Sequence, residues 1–489
     1  MVTDKTTHLE LPDPAQRRDE LRNVIAMTVP VVITTTSRAM MDVADYVMIT
    51  GLHSDYAQAA ILPAQMVMFT YIVLGMGTVS VVSTFVSQSL GRKKPRECGA
   101  YAWQVLYMAG VLGVIGVLLR PVLPHLVALF DHEPGVQVME VTYARIAMLT
   151  VAPTTAAMGL AWYFIGIHRP RVAMWSALEA NVVNIGVSLV LIYGNGAMGI
   201  EPMGIAGAAW GTLVGVSYRT ARLVVSLMTP SMEARFASRS GWKPSWSKLR
   251  GLLRVGTPCG LHWVSEVAVW ALFVNVLIGT KFGTAHLIAT STAWQYIRLS
   301  FMPTVGVGQA LTSLVGKSIG AGHRERAIRE ARTAFVIALA YMGTLSATYL
   351  FFGKHLIALF NDNQEVVRIG AQVMICAAVF QLFDAVGITY NAALRGAGDT
   401  FWPSVFSVVS NWVLIIGGGW AMACLFPELG CVGPWIAASL LIVAIALFLW
   451  FRWHRRGWMK INLFDDEPDD ADVHQLDQDT SVADVPPHA

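Results

Sequence analysis

Charged side chains are scarce in this sequence. Asp, Glu, Lys and Arg make up 14% of its 489 residues, whereas soluble domains carry about 25%. Hydrophobic residues reach 55% and the mean hydropathy is +0.52. This composition excludes an ordinary soluble protein and predicts an all-α polytopic membrane protein, with the lipid bilayer as its surroundings and no nucleic-acid partner.

Paired cysteines and nucleotide motifs are also missing. The five cysteines show no CxxC spacing, so we expect small buried apolar residues and neither a disulfide nor a metal centre; they are Cys98, Cys259, Cys376, Cys424 and Cys431. LTSLVGKS resembles the end of a phosphate-binding loop, but Leu311 stands where that loop needs glycine. No nucleophile, base and metal set assembles either, so the sequence predicts neither a cofactor nor an enzyme.

Apolar runs of about 20 residues, the length that a bilayer demands of a helix, fill most of the chain. Twelve spans are predicted, at roughly 24–50, 57–88, 99–119, 139–167, 172–194, 204–228, 254–280, 284–315, 331–352, 366–394, 401–424 and 431–453. Residues 1–20 are polar, so the first run is predicted to be a retained span. Lys and Arg concentrate on one side, which predicts a multi-pass protein of the plasma (inner) membrane with both termini cytoplasmic.

Internal similarity divides the chain into two halves. VSQSLGRKKPRECGAYAW aligns with VGKSIGAGHRERAIREAR 229 residues later, and Pro30 and Pro258 lie at a nearly equal offset. An offset of six spans predicts parallel repeats, two pseudo-symmetric six-helix bundles with a site near mid-membrane. The predicted parts are a cytoplasmic segment 1–20, an N-lobe 21–228, a linker 229–253, a C-lobe 254–455 and an acidic disordered tail 456–489.

Two carboxylates lie deep in the predicted C-lobe. Glu266 is 12 residues past Arg254 and Asp384 is 11 residues before Arg395, which places both about 16 to 18 Å from the cytoplasmic end. Two acids that face one cavity share a proton or a cation, as an ion relay requires. The alternative is that a basic partner neutralises each, with Arg298 the obvious candidate.

Span 1 carries a second group of charges. Arg38, Asp42 and Asp45 fall at i, i+4 and i+7 and so share one helix face. A local pair of Arg38 with Asp42 would leave Asp45 for other partners. Those predicted to join it are the polar residues Asn184, Ser188 and Thr212 of spans 5 and 6. Glu179 is predicted to pair with Arg169 or Arg171.

Aromatic residues surround the C-lobe acids. Trp263 and Trp270 flank Glu266 at i−3 and i+4, and Phe380 precedes Asp384 by one turn. Such rings attract organic cations, although aromatics on an apolar helix are commonly packing residues. Gln381 and Arg298 complete the candidate substrate cavity.

Several motifs in order resemble the multidrug and toxic compound extrusion (MATE) transporters, in their NorM-like branch, over about residues 20–455. They are DYVMITGL, MGIAGAAWGTL, AHLIA followed by FMPTVGVGQALTSLVGKSIGAG, and NAALRGAGDT. The resemblance implies a twelve-helix secondary antiporter that acts as a monomer and exports amphipathic, often cationic compounds in exchange for Na⁺ or H⁺. By position it implies cation coupling at Asp45, Glu266 and Asp384, an N-lobe cation site at Asn184, Ser188 and Thr212, and a helix bend at Pro30.

The sequence departs from the family pattern at a few positions. Relatives often have Asp at Ser188, Gln at Leu287 and, in some, Tyr at Phe380. A flippase for lipid-linked or polysaccharide precursors is the alternative within the same superfamily, and it would need several cations in its cavity. A non-transporting receptor is a further alternative.

Overall fold

The computed structural model describes residues 14–51, 68–128, 133–196 and 199–464, and these ranges are almost entirely helical. Within them the β pairing is limited to one isolated bridge between Asn195 and Ile200. The start of predicted span 2, the side chain of Asp42 and the acidic tail beyond Phe464 lie outside the described residues. The all-α prediction is confirmed.

Twelve helices follow the predicted spans, and we number them in chain order. They are α1 (Pro14–Thr50), α2 (Met68–Gly91), α3 (Cys98–Leu119), α4 (Pro134–Gly166), α5 (Pro170–Tyr193), α6 (Ile205–Leu227), α7 (Trp246–Lys281), α8 (Thr284–Gly320), α9 (Arg324–Ala358), α10 (Gln364–Gly396), α11 (Phe401–Leu425) and α12 (Val432–His454). A short helix, Pro230–Phe236, lies in the predicted linker. Ten of the twelve are long and apolar enough to cross a bilayer; α6 and α8 do not meet the same requirement of apolarity.

The same pairs of helices pack in both halves of the chain. In the first half the packed pairs are α1–α5, α2–α4, α3–α4, α4–α6 and α5–α6. In the second half they are α7–α11, α8–α10, α9–α10, α10–α12 and α11–α12. Each pair recurs six helices later, so the fold consists of two pseudo-symmetric bundles, which we call the N-lobe (α1–α6) and the C-lobe (α7–α12).

Two C-lobe helices contain wide turns that the sequence did not predict. α7 is a π-helix over Leu272–Ile278, and α11 is one over Asn411–Gly418. The two segments contact each other. π-Helical turns within α-helices are rare and are frequently found at functional sites, and the segment in α7 begins six residues after Glu266.

One end of the bundle, which we call the terminal face, holds both ends of the described chain. Arg329 forms an ion pair with Glu20 of α1 at 2.9 Å, and Arg324 donates a hydrogen bond to the carbonyl of Met459. A single apolar cluster there includes residues of both lobes, such as Val79 of α2 and Leu314 of α8. Toward the opposite end, the clusters of the N-lobe and the C-lobe are separate.

Glycines allow α2 and α8 to approach closely at the terminal face. A side chain added at Gly91 would overlap with the backbone of Lys317, and one at Gly320 would overlap with that of Gln88. Polar side chains then bond across the lobes: Gln88 donates to the carbonyl of Gly396 at 2.9 Å, and Ser313 donates to the carbonyl of Ile165 at 2.8 Å. The lobes are therefore closed against each other at this face.

A half-buried histidine lies in the same interface. Burial, with a smaller contribution from the charge of Lys317 on α8, lowers the pKa of His168, in the turn between α4 and α5, to about 3. His168 is therefore neutral near pH 7. A cation at this position would face Lys317 and weaken the closed contact.

We predict that Gly320→Val favours separation of the lobes at the terminal face. The added side chain has no room against the Gln88 backbone, and overpacking of this kind costs about 1 to 3 kcal/mol. Spin labels at the exposed positions Arg96 and His323, one in each lobe, should be farther apart than in the wild type when measured by pulsed electron paramagnetic resonance.

Gly110→Val is the matched control, because nothing lies within 4 Å of a Cβ at Gly110 on α3. This control should keep the short distance. If Gly320→Val also kept it, the glycine contact would not hold the lobes together.

Candidate functional site

The N-lobe polar site lies where α5 and α6 meet. A Cβ at Gly211 would overlap with Ser188, and one at Gly215 would contact Asn184. The GxxxG spacing on α6 therefore lets the two backbones approach closely, as it does in other membrane helix pairs. This approach buries Asn184 and Ser188 completely.

Asp45 of α1 joins this site through α6. The Thr212 hydroxyl donates to the Asp45 carboxylate at 3.3 Å, and Asp45 is buried. Within the described structure, the amide group of Asn184 and the hydroxyl of Ser188 have no hydrogen-bond partner. Buried polar groups are normally satisfied, so this set of oxygen atoms suits a hard cation or a protonated carboxyl group.

A layer of arginines lies on the terminal side of these residues. Arg38 and Arg219 each lie seven residues from a member of the Asp45–Thr212 contact, which is two turns or about 10 Å along a helix. Arg219 is buried and donates to the Met158 sulfur at 3.8 Å. Sequence reasoning missed Arg219, although a charge within predicted span 6 was the available signal.

Glu179 belongs to a separate ion pair near this layer. It pairs with Arg222 of α6 at 3.0 Å and accepts a hydrogen bond from Tyr218. The predicted pairing with Arg169 or Arg171 is therefore wrong. The reason is that α5 packs along α6, which places Arg222 beside Glu179, whereas Arg169 contacts Met232.

The C-lobe carboxylates come from α7 and α10. The Glu266 side chain is 44% exposed, Asp384 is half-buried, and the field of Glu266 acts on Asp384. Two neighbouring carboxylates resist being ionised together, so a proton or a cation between them stabilises the pair. This is the chemistry that an ion-coupled site needs.

The nearest ionisable partner of Glu266 is a histidine. His262 lies one turn earlier on α7, with Nε2 3.9 Å from the Glu266 carboxylate. Arg298 on α8 is exposed, and it forms no ion pair with either acid within the described residues. The structure therefore does not support the alternative in which Arg298 neutralises the acids.

Aromatic rings fill the C-lobe beside the acids. Trp270 packs against Trp294 at 4.6 Å between ring centroids and lies 6.2 Å from Trp435. Phe380 is buried and stacks against Trp435 at 6.3 Å. In this conformation the rings of Phe380 and Trp435 pack together in the C-lobe core.

Two further cavity candidates connect helices. Gln381 is buried and donates to Ser300 of α8 at 2.7 Å. Trp263 of α7 contacts Trp162 of α4 edge to face at 6.0 Å, so it bridges the lobes. Pro30 lies inside the continuous helix α1, and the Thr34 hydroxyl donates to its carbonyl at 2.8 Å.

Metal-binding clusters and disulfides do not occur in the parts of the chain that the structure describes. No group of three or more His, Cys, Asp or Glu residues could hold a metal ion there. All five cysteines are free, and three are buried as expected. Cys424 is exposed and accepts from Lys281 at 3.4 Å, so the expectation of a buried residue is wrong for it.

A clasp formed by residues 457–464 crosses from the C-lobe to the N-lobe at the terminal face. Trp458 stacks on Trp453 at the end of α12. Phe464 is buried against Phe85 of α2, and the Arg92 guanidinium lies 4.0 Å from its ring centroid. The clasp must leave Phe85 and Arg92 if the lobes separate at this face.

The fold and the polar sites within two lobes define a helical membrane protein of the transporter class. The family model MatE matches residues 30–190 and 263–420, and the chain belongs to this family. The two matched stretches contain Asp45, Asn184, Ser188, Glu266 and Asp384, but not Thr212.

Named relatives and solved structures agree with this assignment. The probable multidrug resistance protein NorM of Mesorhizobium japonicum is 28% identical over 450 residues, covering 90% of this chain and 94% of the relative. The NorM of Thermotoga maritima is 26% identical over 382 residues, covering 76% and 80%. A structure described as the outward-facing conformation of a multidrug resistance MATE family transporter superposes with a TM-score of 0.82 at 20% identity, covering 91% and 98%.

We predict that Asn184→Ala impairs transport without destabilising the fold. Removal of a buried amide that has no partner is neutral or stabilising for the folded protein. If Asn184 binds the coupling ion, its loss should nevertheless reduce efflux about tenfold. Efflux and thermal unfolding of the purified variant separate the two effects. Asn23→Ala, which changes an exposed amide near the start of α1, is the control and should leave both unchanged. Unchanged efflux in Asn184→Ala would remove Asn184 from the site.

We predict that Phe464→Ala weakens the closed terminal face. Truncation of a buried Phe costs about 3 kcal/mol, and here the lost contacts join the two lobes. The labels on Arg96 and His323 should show a larger fraction of separated lobes. Phe351→Ala, on an exposed ring of α9, should leave the distances unchanged; the same result for Phe464→Ala would show that the clasp does not stabilise closure.

Proposed function

We propose that the protein is a secondary active multidrug antiporter that exports amphipathic, often cationic compounds in exchange for Na⁺ or H⁺. The single observation that carries the proposal is the pair Glu266 and Asp384, two carboxylates on different membrane helices with no arginine or lysine paired to them in the described structure. Membership of the MatE family and the multidrug resistance relatives support the cargo class.

The terminal face is assigned to the cytoplasm under this proposal. Lys and Arg are concentrated at this end, and the positive-inside rule places such loops in the cytoplasm of the inner membrane. Closure of the lobes at the terminal face then corresponds to a state that faces outward. In this state the exposed Glu266 carboxylate can exchange its ion with the outside.

Transport results if the ion and the exported compound compete for binding at Glu266 and Asp384. A proton or Na⁺ that binds Glu266 and Asp384 removes the negative charge that attracts a cationic compound, and so releases it outside. Each ligand shifts the balance of the two states only by its difference in affinity for them. Asp45 and its oxygen-rich neighbours provide a second place for the ion, in the N-lobe.

One observation favours a second candidate function. Arg219 is buried in the N-lobe, and Arg38 lies in the same lobe. Cations suit an anionic cargo such as a lipid-linked or polysaccharide precursor, which a flippase of the same superfamily would move. The acidic C-lobe site favours the antiporter, because it would repel a pyrophosphate group.

We predict that Glu266→Gln and Asp384→Asn each reduce export of a cationic dye at least tenfold at normal expression. Each change removes the exchangeable charge and keeps the shape of the side chain. Glu365→Gln, which changes an exposed acid on the same helix as Asp384, should export normally. Wild-type export by both site variants would exclude the ion relay.

Proteoliposomes with separately imposed Na⁺ and H⁺ gradients identify the coupling ion. Dye movement driven by one gradient, and its loss in both site variants, is the expected result. Movement of a lipid-linked precursor with no dye transport would replace the antiporter by the flippase. No movement of any substrate would favour a receptor.

A further inference from the structure

Arg298 is a cation inside the membrane that the proposed ion exchange does not use. It lies 14 residues beyond Thr284, the start of α8, which is about 21 Å along the helix. The side chain is exposed, and it forms no ion pair or hydrogen bond within the described part of the chain. An arginine at such a depth is costly, and it typically faces a water-filled cavity or marks a substrate pathway.

Arg298 and Glu266 lie at the same level on two consecutive, antiparallel helices. The rings of Trp294 on α8 and Trp270 on α7 pack together at 4.6 Å between centroids. Arg298 follows Trp294 by four residues and so lies on the same helix face. Glu266 precedes Trp270 by four residues in the same way. Each charge is therefore about 6 Å along its helix from the ring pair, and both lie on the terminal side of it.

The two helices separate on the terminal side of this ring pair. α8 packs against the π-segment Leu272–Ile278 of α7, but the earlier part of α7 has little backbone contact with α8. Glu266 and Arg298 accordingly form no ion pair in the structure, although their charges are opposite. One turn beyond Arg298, the Thr35 hydroxyl of α1 donates to the carbonyl of Met302 at 3.1 Å. The gap between the two charges thus has aromatic rings on one side and a contact between the lobes on the other.

A compound that carries both charges matches this arrangement. The exposed Glu266 carboxylate attracts a cationic group. The Arg298 guanidinium presents a planar fork of donors that suits a carboxylate. Trp270 and Trp294 are half-buried, so they leave ring surface for an aromatic body between the two charges.

We propose that Arg298 binds an anionic group of the exported compound, so that the protein accepts amphipathic aromatic zwitterions whose cationic group lies at Glu266. This proposal rests on the proposed export function for its cargo, but it gives Arg298 a role that ion exchange does not need. The guanidinium repels a compound that carries positive charge only, and it attracts one that also carries a carboxylate. Arg298 is therefore a residue that selects among exported compounds by their charge.

The test compares rhodamine B, which carries a carboxylate, with its ethyl ester, which has the same cationic ring system and no carboxylate. Fluorescence polarisation measures equilibrium binding of each dye to the purified full-length protein, so the result does not depend on transport. Arg298→Gln should weaken binding of rhodamine B about tenfold, through the loss of a charged hydrogen bond. The same change should tighten binding of the ester, because it removes a repulsive charge. Arg298→Lys should retain part of the binding of rhodamine B.

Arg368→Gln is the matched control, because it removes an exposed arginine from α10 in the same lobe, about 24 Å along the helix from Asp384. It should leave the affinities for both dyes unchanged. Efflux of the ester from proteoliposomes tests the proposed function separately. A wild type that moved neither dye would contradict the export function, while the binding data would still decide the role of Arg298.

Three results would overturn the proposal. Equal affinity of the wild type and Arg298→Gln for rhodamine B would remove the guanidinium from the site. An equal loss of affinity for both dyes would show that Arg298 supports the fold and does not recognise charge. Displacement of rhodamine B when chloride replaces gluconate at the same ionic strength would identify a site for an inorganic anion.

Discussion

The cost of an ionisable group inside a membrane is the constraint on which the structure depends. An unpaired charge at mid-membrane costs at least about 2.5 to 3.5 kcal/mol, so each such group needs a partner or access to water. Glu179 has Arg222, and Asp45 has Thr212 among its contacts. Glu266 instead stays exposed, beside a histidine at 3.9 Å. An acid that no arginine or lysine holds can exchange an ion, whereas one that is held by arginine cannot do so readily.

The close contact at the terminal face would give the proposed exchange a direction. Gly91 and Gly320 let α2 and α8 meet backbone to backbone, and the polar contacts of Gln88 and Ser313 depend on that approach. Dense packing inside each lobe resists deformation, so opening must move one lobe relative to the other. The contact is thus either made as a whole or lost as a whole.

Sequence periodicity and the positions of charge predicted most of the fold, and the same charges selected the acids of the proposed site. Apolar runs marked the helices because the bilayer fixes their length, and the repeat predicted the paired lobes. Single sequence positions could not show which helices pack side by side. For this reason Glu179 was given the wrong partner, and the stacking of Phe380 on Trp435 was not foreseen. The π-segments of α7 and α11 and the clasp ending at Phe464 depend on tertiary contacts and had no local signal.

Helix α10 connects the proposed ion site with the closed face. It carries Asp384 near its middle, and its last residues include Arg395 and Gly396, whose carbonyls accept hydrogen bonds from Thr84 and Gln88 of the opposite lobe. Eleven residues of helix, about 16 Å, separate the carboxylate from these contacts. A rigid helix transmits a shift at one end to the other, and here the other end holds the lobes together. In the proposed exchange, ion binding at Asp384 and closure at the terminal face would act on one element, which is the physical requirement for coupling between two sites.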